Sequence, residues 1–150
     1  MQFLTPALVF SVISTLISGI FAAIVLKRWW DKRREGHPAP HLLAWGIGLA
    51  LYCLGVFSQV VLAFIWSPLF FGLYYWSGAL ATAPWLGQGT IYLLIRKGNI
   101  ARNIQMALLL VCVMTLPWTL FLTPFDGSAW YPGVDITTIF RTVEDANGNV

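Results

Sequence analysis

Residues 70–95 read FFGLYYWSGALATAPWLGQGTIYLLI, about 26 residues without a charge. A run of that length crosses the hydrocarbon core of a bilayer with some tilt. It does so as a helix, because no water in that layer can satisfy an exposed backbone N–H or C=O. Pro84 lies inside the run and has no N–H to give. The carbonyl of Leu80 therefore loses its helical partner, and the sequence predicts a kink near Pro84. The freed carbonyl needs a neighbouring helix, a side chain or a water, so this helix belongs among partners.

Three more apolar stretches, at about 8–26, 42–65 and 104–122, have comparable length. Hydrophobic residues make up 58% of the chain and charged residues 10%, against about 25% charged in soluble domains. The expected class is an all-α membrane protein, a four-transmembrane-helix antiparallel bundle over residues 1–122 with a tail at 123–150. The second and third spans are joined through Trp66-Ser67-Pro68, a turn short enough to require an antiparallel hairpin.

The charges orient these spans. Eight of the nine Lys and Arg residues fall in the first and third connections, and Arg141 alone lies in the tail. Cytoplasmic loops carry the basic excess, so both termini are expected on the extracytoplasmic side of a cell (inner, cytoplasmic) membrane. The first span has its basic residues behind it rather than in front, the reverse of a secretory signal, and reads as an uncleaved anchor. Because the basic residues flank membrane spans, the net charge of +3 does not point to nucleic acid. Lys27, Arg28, Lys32, Arg33 and Arg34 can fix topology and also touch anionic lipid. Trp29 and Trp30 beside them suit the headgroup level.

Few groups within the spans carry chemistry. None of the four contains an ionisable Asp, Glu, Lys, Arg or His, the usual mark of an ion path or proton relay. His37 and His41 flank Pro38 and Pro40, which favour extended backbone and separate the pair by about 12 Å, too far to share one metal. A haem-binding four-helix cytochrome needs histidines within its helices. A small multidrug exporter needs a buried carboxylate, and a thiol enzyme of the vitamin K type needs a Cys-x-x-Cys pair. Cys53 and Cys112 are not such a pair and are expected as free thiols. The reading is non-enzymatic, with no cofactor and no metal.

Neutral polarity remains. At about 1.5 Å per residue, Gln59 and Ser77 lie at similar depth in the outer half, while Gln88 lies nearer the two cysteines. These groups serve either as interhelical hydrogen bonds or as the polar floor of an apolar pocket opened at Pro84. Such a pocket is expected to involve Tyr74, Ser77, Gly78, Pro84, Trp85, Gln88, Tyr92 and Gln59, with Tyr74, Trp85 and Tyr92 as its walls. In the first span Ser11, Thr15, Gly19 and Ala23 recur every four residues and predict a close-packing strip. In the tail, Trp130 and Tyr131 read as an interfacial anchor before a Pro132-Gly133 turn. Residues 134–143 suit a short strand, and residues 145–148 lack the ligand alternation of a calcium loop.

The segments HLLAWGIGLALYCLGVFSQV and GLYYWSGALATAPWLGQGTIYLL resemble the second and third helices of small bacterial four-helix membrane proteins without an assigned function. The resemblance covers about residues 40–95 and rests on Tyr74-Tyr75, Gly78-Ala79, Trp85-Leu86, Gly89-Thr90 and Tyr92-Leu93-Leu94. It implies an inner-membrane bundle and transfers neither activity nor site. A fainter likeness is to the membrane halves of signalling sensors. The expected function is that of a structural or accessory subunit acting by helix association, with itself or with other membrane proteins. Binding or transport of an apolar small molecule or lipid is the alternative, and a sensor input unit the third.

Overall fold

In a computed structural model of the protein, residues 6–95, 99–123, 125, 127, 128, 130–133 and 136 are described. Every regular element among them is helical: α1 (Pro6–Arg34), α2 (Pro40–Leu62), α3 (Pro68–Tyr74), a first π segment (Tyr75–Ala81), α4 (Thr82–Leu94), α5 (Ile100–Pro117) and a second π segment (Trp118–Leu122). Three helical stretches are long and apolar enough to cross a membrane: Pro6–Arg34, Pro40–Leu62 and Ile100–Leu122. The run from Pro68 to Leu94 is continuous but built of three pieces. The strand expected at 134–143 and the stretch 145–148 lie outside the described residues, apart from Ile136, which is helical.

α1 extends two turns past the expected end of its apolar span. Nothing breaks the helix before Gly36, whose φ of 78° ends it, and cations in the last turn suit the negative end of the helix dipole. The five basic residues therefore stand exposed on helix rather than in a loop. Arg33 lies 5.3 Å over the Trp29 ring and Arg34 5.6 Å over Trp30, each a four-residue cation–π pair. Lys32 bonds Glu35 at 3.1 Å. Pro40 then opens α2 at its first helical position, where a missing N–H costs nothing.

The close-packing strip of α1 is shifted from its expected line. Ser11, Ser18 and Ala22 are buried, while Ala23 faces outward. Steps of four residues overshoot a helical turn by about 40° each, so after three steps the strip has left the seam. Steps of four, three and four keep it in place. The seam is antiparallel: Leu26 reaches the level of Gly46, and the Cys53 thiol donates to the Thr15 carbonyl at 3.5 Å.

Packing follows chain order, α1 on α2, α2 on the run from α3 to α4, and that run on α5 and the second π segment. The first and last helices do not pack on one another to a comparable extent, so the described part is a row more than a closed ring. Its middle holds Ala44, Trp76, Ala81 and Trp85, flanked by Ile47, Leu51, Leu108, Cys112 and Leu116. A second cluster at the other end joins Leu62, Phe71 and Ile136 with Trp66, Phe70, Tyr74 and Phe125.

That second cluster is where the tail returns. The Trp130 indole N–H donates to the Leu62 carbonyl at 2.8 Å, and the Gly133 N–H to the Ala63 carbonyl at 3.1 Å. These carbonyls end α2 and lack helical partners. Trp130 is thus half-buried and turned onto the protein, whereas Tyr131 is exposed. The expected turn is present at Pro132-Gly133, with Gly133 at φ 85°.

Candidate functional site

The departure from α geometry in the middle run lies one turn before Pro84. The first π segment closes with an N–H that reaches five residues back instead of four, from Thr82 to the Ser77 carbonyl. The Thr82 hydroxyl donates to that same carbonyl at 2.6 Å. Thr82 is buried and Pro84 is exposed. The wide turn is therefore closed by the threonine from inside, and the proline occupies the outer face. The second π segment repeats the device: it follows Pro117, and the Thr123 hydroxyl donates to the Trp118 carbonyl five residues back at 3.2 Å. In both segments a threonine hydroxyl backs the wide turn at a carbonyl other than the one the proline leaves without its i−4 donor.

A glycine on each side of the contact, Gly55 of α2 and Gly89 of α4, lets the middle run come close. A Cβ on Gly55 would lie 3.0 Å from the Ser77 Oγ and 3.3 Å from the Gly78 nitrogen. At the opposite end of the contact the Trp45 indole lies on Gly89, leaving no room for a Cβ there, and donates to the Leu86 carbonyl at 3.2 Å.

Gln88 is 1% exposed. Its Nε2 donates to the Ala101 carbonyl at 2.6 Å, and its Oε1 is buried with no partner among the described residues. The opposite amide orientation would set two oxygens against each other, so the placement of the orphan on Oε1 follows from the contact itself. One turn on, the Tyr92 hydroxyl donates to the Gln105 side chain. Higher up the same interface, the Trp76 indole donates to the Thr115 hydroxyl at 3.1 Å, which donates in turn to the Val111 carbonyl at 2.8 Å.

The residues expected to build one pocket are spread over three levels. Tyr74 packs on Phe71 in the cluster beneath the tail. Trp85 belongs to the middle core, and Tyr92 pairs with α5 near the connection at 95–99. Gly78 and Pro84 are exposed, and a Cβ on Gly78 would meet nothing within 4 Å. Ser77 donates to the Leu73 carbonyl at 2.6 Å rather than to Gln59. The buried polar residue of that α2 turn is Ser58, with Gln59 half-buried beside it, because one residue turns the helix about 100°. Gln88 meets α5 at Ala101, a full helical stretch from Cys112. The hydrogen bonds of Gln88 and Tyr92 join helices, whereas that of Ser77 stays within its own run.

Sequence reasoning gave Thr82 no role and did not pair Trp45 with Gly89. A threonine two residues before a mid-helix proline is a local signal that could have flagged the first. The pairing of Trp45 with Gly89 depends on the fold and leaves no local trace. A groove of about 280 Å³ also opens between α1 and α2, lined by Ser14, Ile17, Ser18, Phe21, Leu49 and Tyr52. No family model, curated protein or solved structure matches the chain.

Proposed function

We propose that the protein is a non-enzymatic, four-span integral membrane protein of a bacterial-type cytoplasmic membrane, acting as an accessory subunit through helix association. The observation that carries this reading is the outer face of the middle run. Gly78, Ala79, Ala83, Pro84, Gly87 and Thr90 are all exposed on it, and a Cβ on Gly87 would meet nothing within 4 Å. In lipid, where burial of apolar surface gives helices no net drive to associate, such small-residue faces allow the close backbone approach that does. The continuous helical run from Pro68 to Leu94 is about 40 Å long at 1.5 Å per residue, enough to serve as the fourth span. The distribution of basic residues supports an orientation with both termini outside.

Purification from native membranes in mild detergent tests the association. A second protein, or a second copy of the chain, in fixed stoichiometry supports it. Gly87→Leu should disperse that complex while leaving the isolated chain folded, since the space is open. A chain that purifies alone, or a complex that is insensitive to Gly87→Leu, overturns the reading. Topology is read separately, by labelling single cysteines at Ser67, Asn99 and Ala146 in intact cells. Positions 67 and 146 should react from outside and 99 should not.

A second reading, binding of an apolar small molecule or lipid, is favoured by the groove between α1 and α2 instead of by Pro84.

A further inference from the structure

Tyr52 is the polar side chain whose position is hardest to explain by packing. It lies ten residues into α2 from Leu42, about 15 Å along the helix, which is the middle of a hydrocarbon core about 30 Å thick. Tyrosines of membrane proteins concentrate at the interfaces, where the hydroxyl meets water. Tyr52 is 42% exposed, so its ring is not enclosed by the protein. Its hydroxyl, like that of Ser14 across the groove, has no hydrogen-bond partner among the described residues. Ser18, the third hydroxyl lining the groove, is already committed to the Ser14 and Thr15 carbonyls at 2.6 and 3.2 Å.

The two unpaired hydroxyls are not equivalent. A serine can turn back onto its own helix and bond a carbonyl four residues earlier. A phenol, held off its backbone by a rigid ring, cannot. The Tyr52 donor therefore needs an acceptor from outside the helix, at a depth where water is absent. An acyl chain filling the groove brings no acceptor. Phospholipid ester oxygens stay at the edge of the core, about 15 Å away. A neighbouring helix would run along the whole α1–α2 seam, whereas the unmet polarity is confined to one turn of it. A lipid-soluble molecule that carries an oxygen to the midplane would satisfy the donor.

We propose that the groove binds a neutral, single-ring carbonyl compound of the quinone class, with the Tyr52 hydroxyl donating to its carbonyl oxygen and Ile17, Phe21 and Leu49 flanking the ring. The volume of about 280 Å³ is at the small end for ligand pockets, which suits one substituted ring and the start of a tail. This inference rests on the second functional reading, not on helix association.

The test uses the full chain in nanodiscs and a tritiated decyl-substituted benzoquinone, measured as uptake over empty nanodiscs. One saturable site per chain is expected. Tyr52→Phe, which keeps the ring, should weaken binding about five- to tenfold, the size of one net hydrogen bond. Ser14→Leu should fill the groove and abolish binding. Decylbenzene, which has no carbonyl, should bind more weakly and be indifferent to Tyr52→Phe. Absence of saturable uptake, or equal quinone affinity in wild type and Tyr52→Phe, overturns the proposal. So does a dimer in the absence of quinone that Tyr52→Phe dissociates, because a second copy then covers the groove. Equal binding of decylbenzene and quinone would retain an apolar-ligand module and remove the ligand class inferred here.

Discussion

Gly55 of α2 and Ser77 of the first π segment approach so closely that a Cβ on the glycine would lie 3.0 Å from the serine Oγ. The widened turn is thereby seated against α2 backbone. A contact that short, with another of 3.3 Å to the Gly78 nitrogen, is tighter than most real Cβ atoms make, so the neighbours must give by a few tenths of an ångström. Gly55→Ala must push the two helices apart or bend the π turn, and overpacking of this kind costs about 1–3 kcal/mol. Reversible unfolding in mixed micelles should show that loss. Ser77→Ala should restore part of it in the double variant, because the Oγ is only one of the atoms in the way. A Gly55→Ala protein as stable as wild type would show that the seat is loose.

The returning tail makes a second prediction. Trp130→Phe keeps an aromatic ring but withdraws the donor from the Leu62 carbonyl, which ends α2 beside a fully buried side chain. An abandoned carbonyl costs about 1–3 kcal/mol where water does not reach it. The tail should then detach more often, and limited proteolysis should cut it faster than in wild type. Unchanged proteolysis would mean that Phe125 and Ile136 hold the tail without the indole.

Much of the helical plan was legible because it follows from short-range rules. Uncharged runs of span length mark the helices, and the Pro132-Gly133 pair marks a turn. The ends were less legible where a helix outlasts its apolar run, as α1 does through the basic residues to Arg34. A proline in a helix was read as a kink at the proline, but the chain spends the irregularity one turn earlier, where Gly55 leaves room and Thr82 supplies a donor. The return of the tail was not legible. Its principal bond joins Leu62 to Trp130, residues 68 apart, and an aromatic residue beside a span reads locally as an interfacial anchor wherever it actually points.

Gln88 offers a clean measure of polar satisfaction. Its amide gives one hydrogen bond to a carbonyl already used by the helix and buries an oxygen without a partner. Gln88→Leu removes the bond, worth about 0.6 kcal/mol between membrane helices, and also removes the orphan. The two effects oppose each other, so stability should change by less than about 1 kcal/mol. A loss well above that would show that a water or another donor serves Oε1 in the membrane.

Cys53 and Cys112 should remain thiols. Cys53 faces α1, where it bonds the Thr15 carbonyl, while Cys112 packs beside the Trp76 and Trp85 cluster on the α5 side. The middle run and α2 stand between those two places. Alkylation under denaturing conditions without reductant should modify both, as read by intact mass. A 2 Da deficit with no alkylation would contradict the arrangement of the helices.

The two residues that bracket the irregular turn, Thr82 and Pro84, can be separated by their consequences. If the proline imposes the wide turn, Pro84→Ala should regularise the run, and the hydroxyl of Thr82 would lose its purpose. The contacts argue the other way: Pro84 is exposed, whereas Thr82 is buried and gives both its N–H and its hydroxyl to the Ser77 carbonyl. Pro84→Ala should therefore leave the π turn in place and stability unchanged or slightly higher. Thr82→Val matches the threonine in shape but not in polarity, and should cost about 1 kcal/mol, the net value of one hydrogen bond. Amide hydrogen exchange in micelles distinguishes the cases, with faster exchange at Ala81 and Thr82 expected in Thr82→Val and near-wild-type rates in Pro84→Ala. If Pro84→Ala instead slows exchange throughout 75–82 and Thr82→Val changes nothing, the proline sets the turn and the threonine only follows it.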